Sequence, residues 1–152
     1  MPSIITENQK ETKKLAAELV GKLIKKKNRG ALVIALEGEL GSGKTTFIKG
    51  FSKALGVREK ILSPTFVLIH KHKVNTEYKI KNIKYKTLYH IDAYRLKSGK
   101  DLLKLGVREI FANPENIVSI EWANRVKRII PKTAIWIRFD HLGKNKRKIS
   151  IK

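Results

Sequence analysis

A glycine-rich loop at the end of an apolar run constrains this chain more than any other feature. Residues 31–36 read ALVIAL, and Gly38 to Thr45 follow as GELGSGKT. That octapeptide matches the pattern G-x-x-x-x-G-K-[ST], in which glycines let successive backbone N–H groups turn toward one phosphate. The pattern requires a strand before the loop and a helix after it, because the helix N-terminus adds positive charge at the phosphate.

The residues on both sides of the loop supply that context. Ala31 to Leu36 is rich in Val, Ile and Leu, as is typical of a buried strand. Thr45 to Leu55 places its large apolar residues on one helical face, and Gly56 follows at the position that glycine favours after a helix. The sequence therefore predicts strand, phosphate-binding loop and helix in succession.

Periodicity predicts the remaining elements more coarsely. An amphipathic helix is expected over about Asn8 to Lys27, with Thr6 or Thr12 as its cap. Two regions are expected to form hairpins, Phe66–Val74 with Lys84–Ile91 and Thr133–Phe139 with Lys146–Ile151. The other predicted elements are a short helix over Leu102–Phe111, a buried strand over Ile117–Ile120 and a helix over Trp122–Ile129 that ends before Pro131.

Composition sets the broad class of the protein. The 152 residues, with 41% hydrophobic and no cysteine, favour a single domain over residues 1–152 without disulfides or thiolate metal sites. Met1 to Leu15 is too polar for a signal peptide, and the longest apolar stretch, Gly30 to Leu36, is far shorter than the ~20 residues that span a bilayer. We therefore expect a cytoplasmic protein with no membrane contact.

Charge leaves two interpretations open. Lys plus Arg number 34 against 13 Asp plus Glu, a net charge of +21. Such an excess invites a nucleic-acid partner, and charge alone argues for a polyanion and no more. The alternative is that Lys is simply the common solvent-facing residue. Aromatic residues that could stack on bases are few, with Tyr78, Tyr85 and Tyr89 the one cluster.

The loop pattern assigns roles to particular residues. Lys44 is expected to reach the β and γ phosphates of a nucleotide, and the Thr45 hydroxyl to bind Mg²⁺. The predicted nucleotide-binding residues of the loop are Glu39, Leu40, Gly41, Ser42, Gly43, Lys44, Thr45 and Thr46.

Phosphoryl transfer also needs carboxylates, and two stand out. Asp92 in LYHIDAYRL and Glu121 in NIVSIEWANR end apolar runs, where a carboxylate costs stability unless something binds it. Mg²⁺ is one such partner, and a salt bridge of Asp92 with Arg95 or of Glu121 with Arg125 is the alternative. Glu37 and Asp140 also end apolar runs but fit exposed strand ends.

Two further segments are candidates for function. SPTF, Ser63 to Phe66, follows the loop helix, where other P-loop proteins keep a threonine that senses the γ-phosphate. Ser63 and Thr65 are therefore candidate switch residues, although a turn built on Pro64 explains the segment equally well. His70 and His72 are expected to face solvent on a strand rather than to bind zinc.

Five segments together carry a family resemblance. LEGELGSGKTTFIKGFSKALGV, SPTF, LYHIDAYRL, LGVREIF and IVSIEWANR, in this order and at these separations, resemble the TsaE (YjeE) family, the small P-loop ATPases of bacterial tRNA threonylcarbamoyladenosine synthesis. The similarity runs from about Thr6 to Ile151. It implies an α/β, P-loop NTPase-like fold, a mixed sheet flanked by helices with parallel strands around the loop and antiparallel strands at the sides.

The resemblance also implies an activity. It implies an ATPase that uses ATP and Mg²⁺ and docks on the TsaB and TsaD proteins, whose threonylcarbamoyl-transfer complex it resets by hydrolysis. Thr45 and Glu121 correspond to the family's Mg²⁺ ligands, Asp92 to an aspartate associated with hydrolysis, and Trp122 to a tryptophan beside the nucleotide. For Trp122 a core aromatic is the alternative. Lys44, Asp92 and Glu121 are thus the predicted catalytic residues.

The sequence departs from the family pattern at a few positions, and two other functions stay open. Glu39 replaces the usual Asp and keeps its charge, while Asn124 and Arg108 replace positions that are often acidic, which changes the local charge on two expected contact surfaces. A small-molecule kinase also uses a P-loop, but about 100 residues after the motif leave little room for an acceptor pocket and a lid. A basic tRNA-binding module would explain the charge but not the loop.

Overall fold

A mixed sheet forms the centre of the protein. The structure, a computed structural model, describes residues 2–61, 68–75 and 84–152. These residues form a seven-stranded sheet in the order β1-β7-β6-β2-β5-β4-β3. The strands are β1 Ser3–Thr6, β2 Leu32–Gly38, β3 Ile69–Lys73, β4 Thr87–Asp92, β5 Asn116–Glu121, β6 Ile135–His141 and β7 Arg147–Ile151.

Parallel and antiparallel pairs are segregated within the sheet. The four inner strands, β6, β2, β5 and β4, run parallel to one another. The outer pairs, β6 with β7, β7 with β1 and β4 with β3, are antiparallel. This confirms the predicted mixed sheet, with parallel strands around the loop and antiparallel strands at its sides.

Helices cover both faces of the sheet. On one face lie α1 Gln9–Leu23 and α2 Lys44–Ala54, whose apolar residues pack with Leu32, Ile34 and Leu36 of β2. On the other lie α3 Gly99–Leu103, α4 Val107–Ala112 and a 3₁₀ helix, Ala123–Ile129, which pack with the alternate β2 residues Val33 and Ala35. Because strand side chains alternate between faces, the uniformly apolar β2 serves both cores.

Several sequence predictions are wrong in detail. Asn8, rather than Thr6 or Thr12, caps α1, since its side chain accepts from the Glu11 N–H at 2.9 Å while the two threonine hydroxyls bond each other. The predicted helix over Leu102–Phe111 is two helices, because Gly106 adopts a positive φ of 79° between them. The helix predicted over Trp122–Ile129 forms as a 3₁₀ helix over Ala123–Ile129. The four-residue edge strand β1 was not predicted.

The hairpin predictions and the histidines had mixed outcomes. Both strand pairs form, although Phe66 and Val67 lie outside the described residues. The prediction that His72 faces solvent is wrong, because its side chain is buried, with Glu59 3.6 Å away. Tyr85 is fully buried and so offers no face for base stacking.

Helices α1 and α2 approach each other closely at a glycine. A Cβ on Gly50 of α2 would lie 2.5 Å from the backbone oxygen of Lys13 in α1, whereas a Cβ on Gly21 of α1 would meet no described atom within 4 Å. The contact is with backbone, so an added methyl group at residue 50 must separate the helices.

We predict that Gly50→Ala lowers the free energy of unfolding by about 1–3 kcal/mol, the usual cost of overpacking. Gly21→Ala is the matched control, since removing a helix-interior glycine with room for a methyl should raise stability by about 0.5–1 kcal/mol. Urea unfolding monitored by circular dichroism measures both. Equal effects of the two substitutions would contradict the close helix crossing.

Candidate functional site

The sheet topology brings the predicted site residues to one edge. β2 ends in the glycine loop, Asp92 is the last residue of β4, and Glu121 is the last residue of β5. Because these strands are parallel and adjacent, their carboxyl ends meet, with Asp92 in register with Glu121 and Glu121 with Leu36. Crevices at the carboxyl ends of such strands are where open α/β sheets bind ligands.

The glycine loop depends on glycine at two positions for different reasons. A Cβ on Gly38 would lie 2.6 Å from the backbone oxygen of Phe139 in β6, so only glycine fits at the position where the loop leaves β2. Gly43 is the residue before α2 and has a φ of 102°, a conformation that L side chains rarely adopt. These constraints set the path of the loop into the helix.

Lys44 lies buried within the loop that precedes it. Its side chain donates to the backbone oxygens of Gly38 at 2.6 Å and Glu39 at 2.9 Å, and the residue is only 4% exposed. Burial lowers the pKa of this ammonium, and the nearby charges of Glu121, Asp92 and Glu39 raise it in part. An anion brought to the Lys44 ammonium would therefore stabilise its charged form.

Glu121 holds together three elements of the site. It is 3% exposed, and its Oε1 accepts a hydrogen bond from the Thr45 hydroxyl of α2 at 2.8 Å. Its Oε2 lies 2.6 Å from Nε2 of the fully buried His90 on β4. We assign the shared proton to Nε2, since an ionised carboxylate can only accept. The carboxylate therefore joins β5, α2 and β4.

Sequence reasoning missed His90. The available signal was its position two residues before Asp92, which places both side chains on one face of the strand. The salt bridges considered as alternatives, Asp92 with Arg95 and Glu121 with Arg125, are absent from the described part of the chain, and Arg125 instead lies over the rings of Tyr94 and Trp122.

Asp92 is half-buried beside Glu121. Its Oδ1 accepts from the Tyr94 N–H at 2.9 Å. Burial raises its pKa, and the Glu121 charge adds to this, while the Tyr94 N–H, His90 and Lys44 act in the opposite direction. The site thus holds two neighbouring carboxyl groups, and a cation beside them would favour the charged form of Asp92.

Trp122 has a strained backbone at the mouth of the site. Its φ of 58° and ψ of 38° are left-handed, the only positive φ among the described non-glycine residues. Its ring lies 4.2 Å from the Lys44 ammonium and 5.0 Å from the Tyr94 ring. Such strain in a bulky residue persists only where its surroundings enforce it, and it is concentrated at functional sites. The indole is partly exposed, so it is not simply a core aromatic.

A cavity of about 450 Å³ joins these groups. It is lined by every residue of the loop from Leu40 to Thr46, together with Asp92, Glu121 and Trp122. Glu39, also predicted to bind nucleotide, instead lines a smaller cavity of about 320 Å³ with Glu37 and Asp140. Ser63 and Thr65, the predicted switch residues, lie outside the described residues.

Arg147 of β7 is a second site residue that the sequence did not reveal. It lines the cavity of about 450 Å³, and its guanidinium donates to the backbone oxygen of Gly41 at 3.0 Å and to those of Gly143 and Lys146 in the β6–β7 turn. It is 106 residues from Gly41 in the chain, so only the fold brings it to the loop. It fixes the loop and adds positive charge there.

Two negative findings apply to the described residues. They contain no group of three His, Cys, Asp or Glu side chains arranged to hold a metal ion. This does not count against Mg²⁺, which proteins bind through one or two carboxylates together with substrate phosphates. None of the described helices has the length and apolar character needed to span a membrane.

The fold and the glycine loop define a P-loop α/β protein. The family model for threonylcarbamoyl adenosine biosynthesis protein TsaE matches residues 6–149, and the chain belongs to the TsaE family. This confirms the family predicted from the sequence motifs and assigns the chain to tRNA threonylcarbamoyladenosine biosynthesis.

Individual relatives agree with that assignment. The tRNA threonylcarbamoyladenosine biosynthesis protein TsaE of Rickettsia felis is 36% identical over 149 residues, covering 97% of this chain and 78% of that protein. The Bacillus subtilis protein of the same name is 33% identical over 145 residues, covering 95% and 81%. The crystal structure of Bacillus subtilis YdiB superposes with a TM-score of 0.69 at 29% identity, covering 99% of this chain and 83% of that one.

We predict that His90→Leu lowers the free energy of unfolding by about 1.5–3 kcal/mol, because the buried Glu121 carboxylate loses a charged hydrogen bond. The double variant His90→Leu with Glu121→Gln should recover part of that loss, since a neutral amide costs less to leave unpaired. Denaturant unfolding of the two single variants and the double variant gives the coupling energy. Additive effects would show that the two side chains do not interact.

Proposed function

We propose that this chain binds ATP with Mg²⁺ in the cavity at the carboxyl ends of β2, β4 and β5 and hydrolyses it. The observation that carries the proposal is the meeting of Lys44, Thr45, Asp92 and Glu121 on that cavity, from elements far apart in the sequence. Hydrolysis would act on the TsaB–TsaD complex that transfers the threonylcarbamoyl group to tRNA.

The phosphate side of the site is built from the loop. The Lys44 ammonium already donates to two backbone carbonyl oxygens. Because burial lowers its pKa, replacing these neutral acceptors with phosphate oxygens would stabilise its charged form. The guanidinium of Arg147 lies beside Gly43 and Gly41, where it adds a second positive charge to the loop. Trp122 and Tyr94 supply apolar surface at the cavity mouth for the rest of the nucleotide.

The oxygen donors present fit a magnesium ion. Thr45 and Glu121 place a hydroxyl and a carboxylate 2.8 Å apart on the cavity, and hard cations prefer such ligands. When bound, Mg²⁺ would neutralise charge on the β and γ phosphates. His90 holds the second Glu121 oxygen and thereby sets the direction of the first.

Asp92 is the group we assign to the attacking water. Its carboxyl lies on the cavity beside Glu121, and its raised pKa makes it a better proton acceptor than an ordinary aspartate. In hydrolysis the water oxygen bonds to the γ-phosphorus, the bond to the ADP oxygen breaks, and the water proton leaves. Asp92 would orient that water and receive the proton.

Exposed apolar side chains on the rim of the cavity are consistent with a partner that docks there. Leu40 is 77% exposed and Tyr94 is 45% exposed, and both line the cavity. A partner that covered these side chains would bury apolar surface and exclude water from the γ-phosphate side, where electrostatic stabilisation is stronger in a dry site. This supports TsaB and TsaD as partners that stimulate a weak ATPase.

We predict that Asp92→Asn and Glu121→Gln each lower ATP hydrolysis by about 10²-fold, roughly 2.7 kcal/mol of barrier. Both substitutions keep shape and remove one charge, so the fold should remain. Glu121→Gln should also raise the Mg²⁺ concentration needed for half-maximal activity, whereas Asp92→Asn should change it less. Phosphate release at varied Mg²⁺ measures this, with Glu115→Gln, on the chain surface, as control. Normal turnover by both variants would make these carboxylates structural.

Adding TsaB and TsaD should raise the hydrolysis rate, and docking and nucleotide binding should favour each other by roughly 5–150-fold in affinity, as in typical allosteric pairs. Linkage requires that the partners raise the affinity for a non-hydrolysable ATP analogue by the same factor by which the analogue raises their affinity for this chain. Steady-state hydrolysis and calorimetric titrations, each with and without partners, test both statements. Equal values in the two conditions would refute the partner coupling while leaving ATP binding untouched.

A further inference from the structure

A groove of about 880 Å³ runs between α1 and α2, on the outer side of the helix pair. Half of its lining residues are lysines contributed by both helices: Lys10, Lys13, Lys14, Lys49 and Lys53. Among the described residues, no acidic side chain lines it. The rest of the lining is small or uncharged, namely Gln9, Ala17, Gly21, Gly50 and Ala54.

The shape of the groove follows from the close helix crossing. The backbone of Lys13 packs directly on Gly50, so the two helices meet without an intervening side chain. The small residues Ala17, Gly21 and Ala54 add little side-chain bulk beside that crossing, and the long side chains of the five lysines surround it. The result is a concave surface with a small-residue lining and a cationic rim.

The described part of the chain does not neutralise the positive charge of the groove. All five lysines are exposed, and among the described residues none of them forms a salt bridge. The two acidic residues of α1, Glu11 and Glu18, do not line the groove. Glu11 instead accepts a hydrogen bond from the Glu7 N–H at the start of the helix. Lysines that repel one another around a concave surface cost the free chain stability, which a bound polyanion would offset.

The lining distinguishes among polyanions. Protein interfaces rely on aromatic and large apolar anchors and are depleted in lysine, and membrane-surface helices insert apolar side chains. Within the described ranges, no aromatic, leucine, isoleucine or valine lines the groove. Lysine rims without apolar anchors instead suit a phosphate backbone, which is bound through charge alone.

We propose that this groove binds the phosphodiester backbone of RNA, with tRNA as the molecule met in the pathway and without preference for its sequence. The choice of RNA rests on the proposed function in tRNA modification. Since α2 begins at Lys44 of the nucleotide loop and carries Lys49 and Lys53 on its exposed side, one helix connects the two sites.

The test compares two charge-matched double variants. Lys13→Ala with Lys49→Ala removes one lysine from each helix of the groove. Lys127→Ala with Lys132→Ala removes the same charge beyond the groove, from the 3₁₀ helix on the other face of the sheet and the turn that follows it. Fluorescence anisotropy with an unmodified tRNA transcript, at several salt concentrations, gives the affinity and its salt dependence.

The groove variant should bind tRNA at least tenfold more weakly, and its slope of log affinity against log salt should fall by about 2, one for each phosphate that the missing lysines would neutralise. The control should stay close to the parent chain, and transcripts with other anticodons should bind equally well. Equal weakening in the two variants would assign tRNA binding to diffuse charge and overturn the proposal. Binding to phosphatidylserine vesicles or polyglutamate in preference to tRNA would overturn it too.

ATP-analogue affinity, measured on the same preparations, separates this proposal from the proposed function. Loss of tRNA binding with retained ATP affinity supports the groove as a separate site. Failure of the parent chain to bind ATP would refute the nucleotide assignment and leave the tRNA comparison intact. Circular dichroism confirms that each variant is folded.

Discussion

The buried carboxylate of Glu121 is the interaction on which the rest of the site depends. It accepts from Thr45 at the start of α2 and lies against His90 on β4, so one side chain ties the glycine loop's helix to two neighbouring strands. A carboxylate that is 3% exposed is costly unless it is fully hydrogen-bonded. The Thr45 hydroxyl and the His90 imidazole meet that requirement, and they also leave Glu121 at the place where a cation beside the loop would need an oxygen ligand.

Other charged groups of the site are held in less favourable states. Burial lowers the pKa of Lys44 and raises the pKa of Asp92, so both charged forms are disfavoured. Trp122 adds a left-handed backbone that an ordinary strand end would not adopt. Polyphosphate with a divalent cation would relieve the first two costs together, because the phosphates favour the lysine ammonium and the cation favours the carboxylate. This complementarity is the physical basis of the proposed Mg²⁺-ATP site, and family membership agrees with it.

The sequence alone predicted the structure correctly where the residues of one short segment determine its conformation. The apolar run and glycine pattern of residues 31–45 predicted the strand, loop and helix that the structure shows. Asp92 and Glu121 were found because a carboxylate at the end of an apolar strand needs a partner. His90 and Arg147 were not found, since their significance arises from strand register and from a contact across 106 residues. Asn8 was missed as the cap of α1 because three candidate residues stand close together and only the backbone geometry distinguishes them. His72 was assigned to solvent from alternation alone, but alternation does not say which face of an edge strand is covered, and His72 lies on the buried one.

The most direct test of the account is the affinity of Lys44→Ala for ATP. This substitution removes the ammonium that is proposed to contact the phosphates. Lys127→Ala is the control, because it removes an equal charge from the far side of the sheet. Calorimetric titration with a non-hydrolysable ATP analogue and Mg²⁺ should show at least a tenfold loss of affinity in Lys44→Ala, about 1.4 kcal/mol, and an unchanged value in Lys127→Ala. Equal affinity in the parent chain and Lys44→Ala would contradict the assignment of the glycine loop as the nucleotide site.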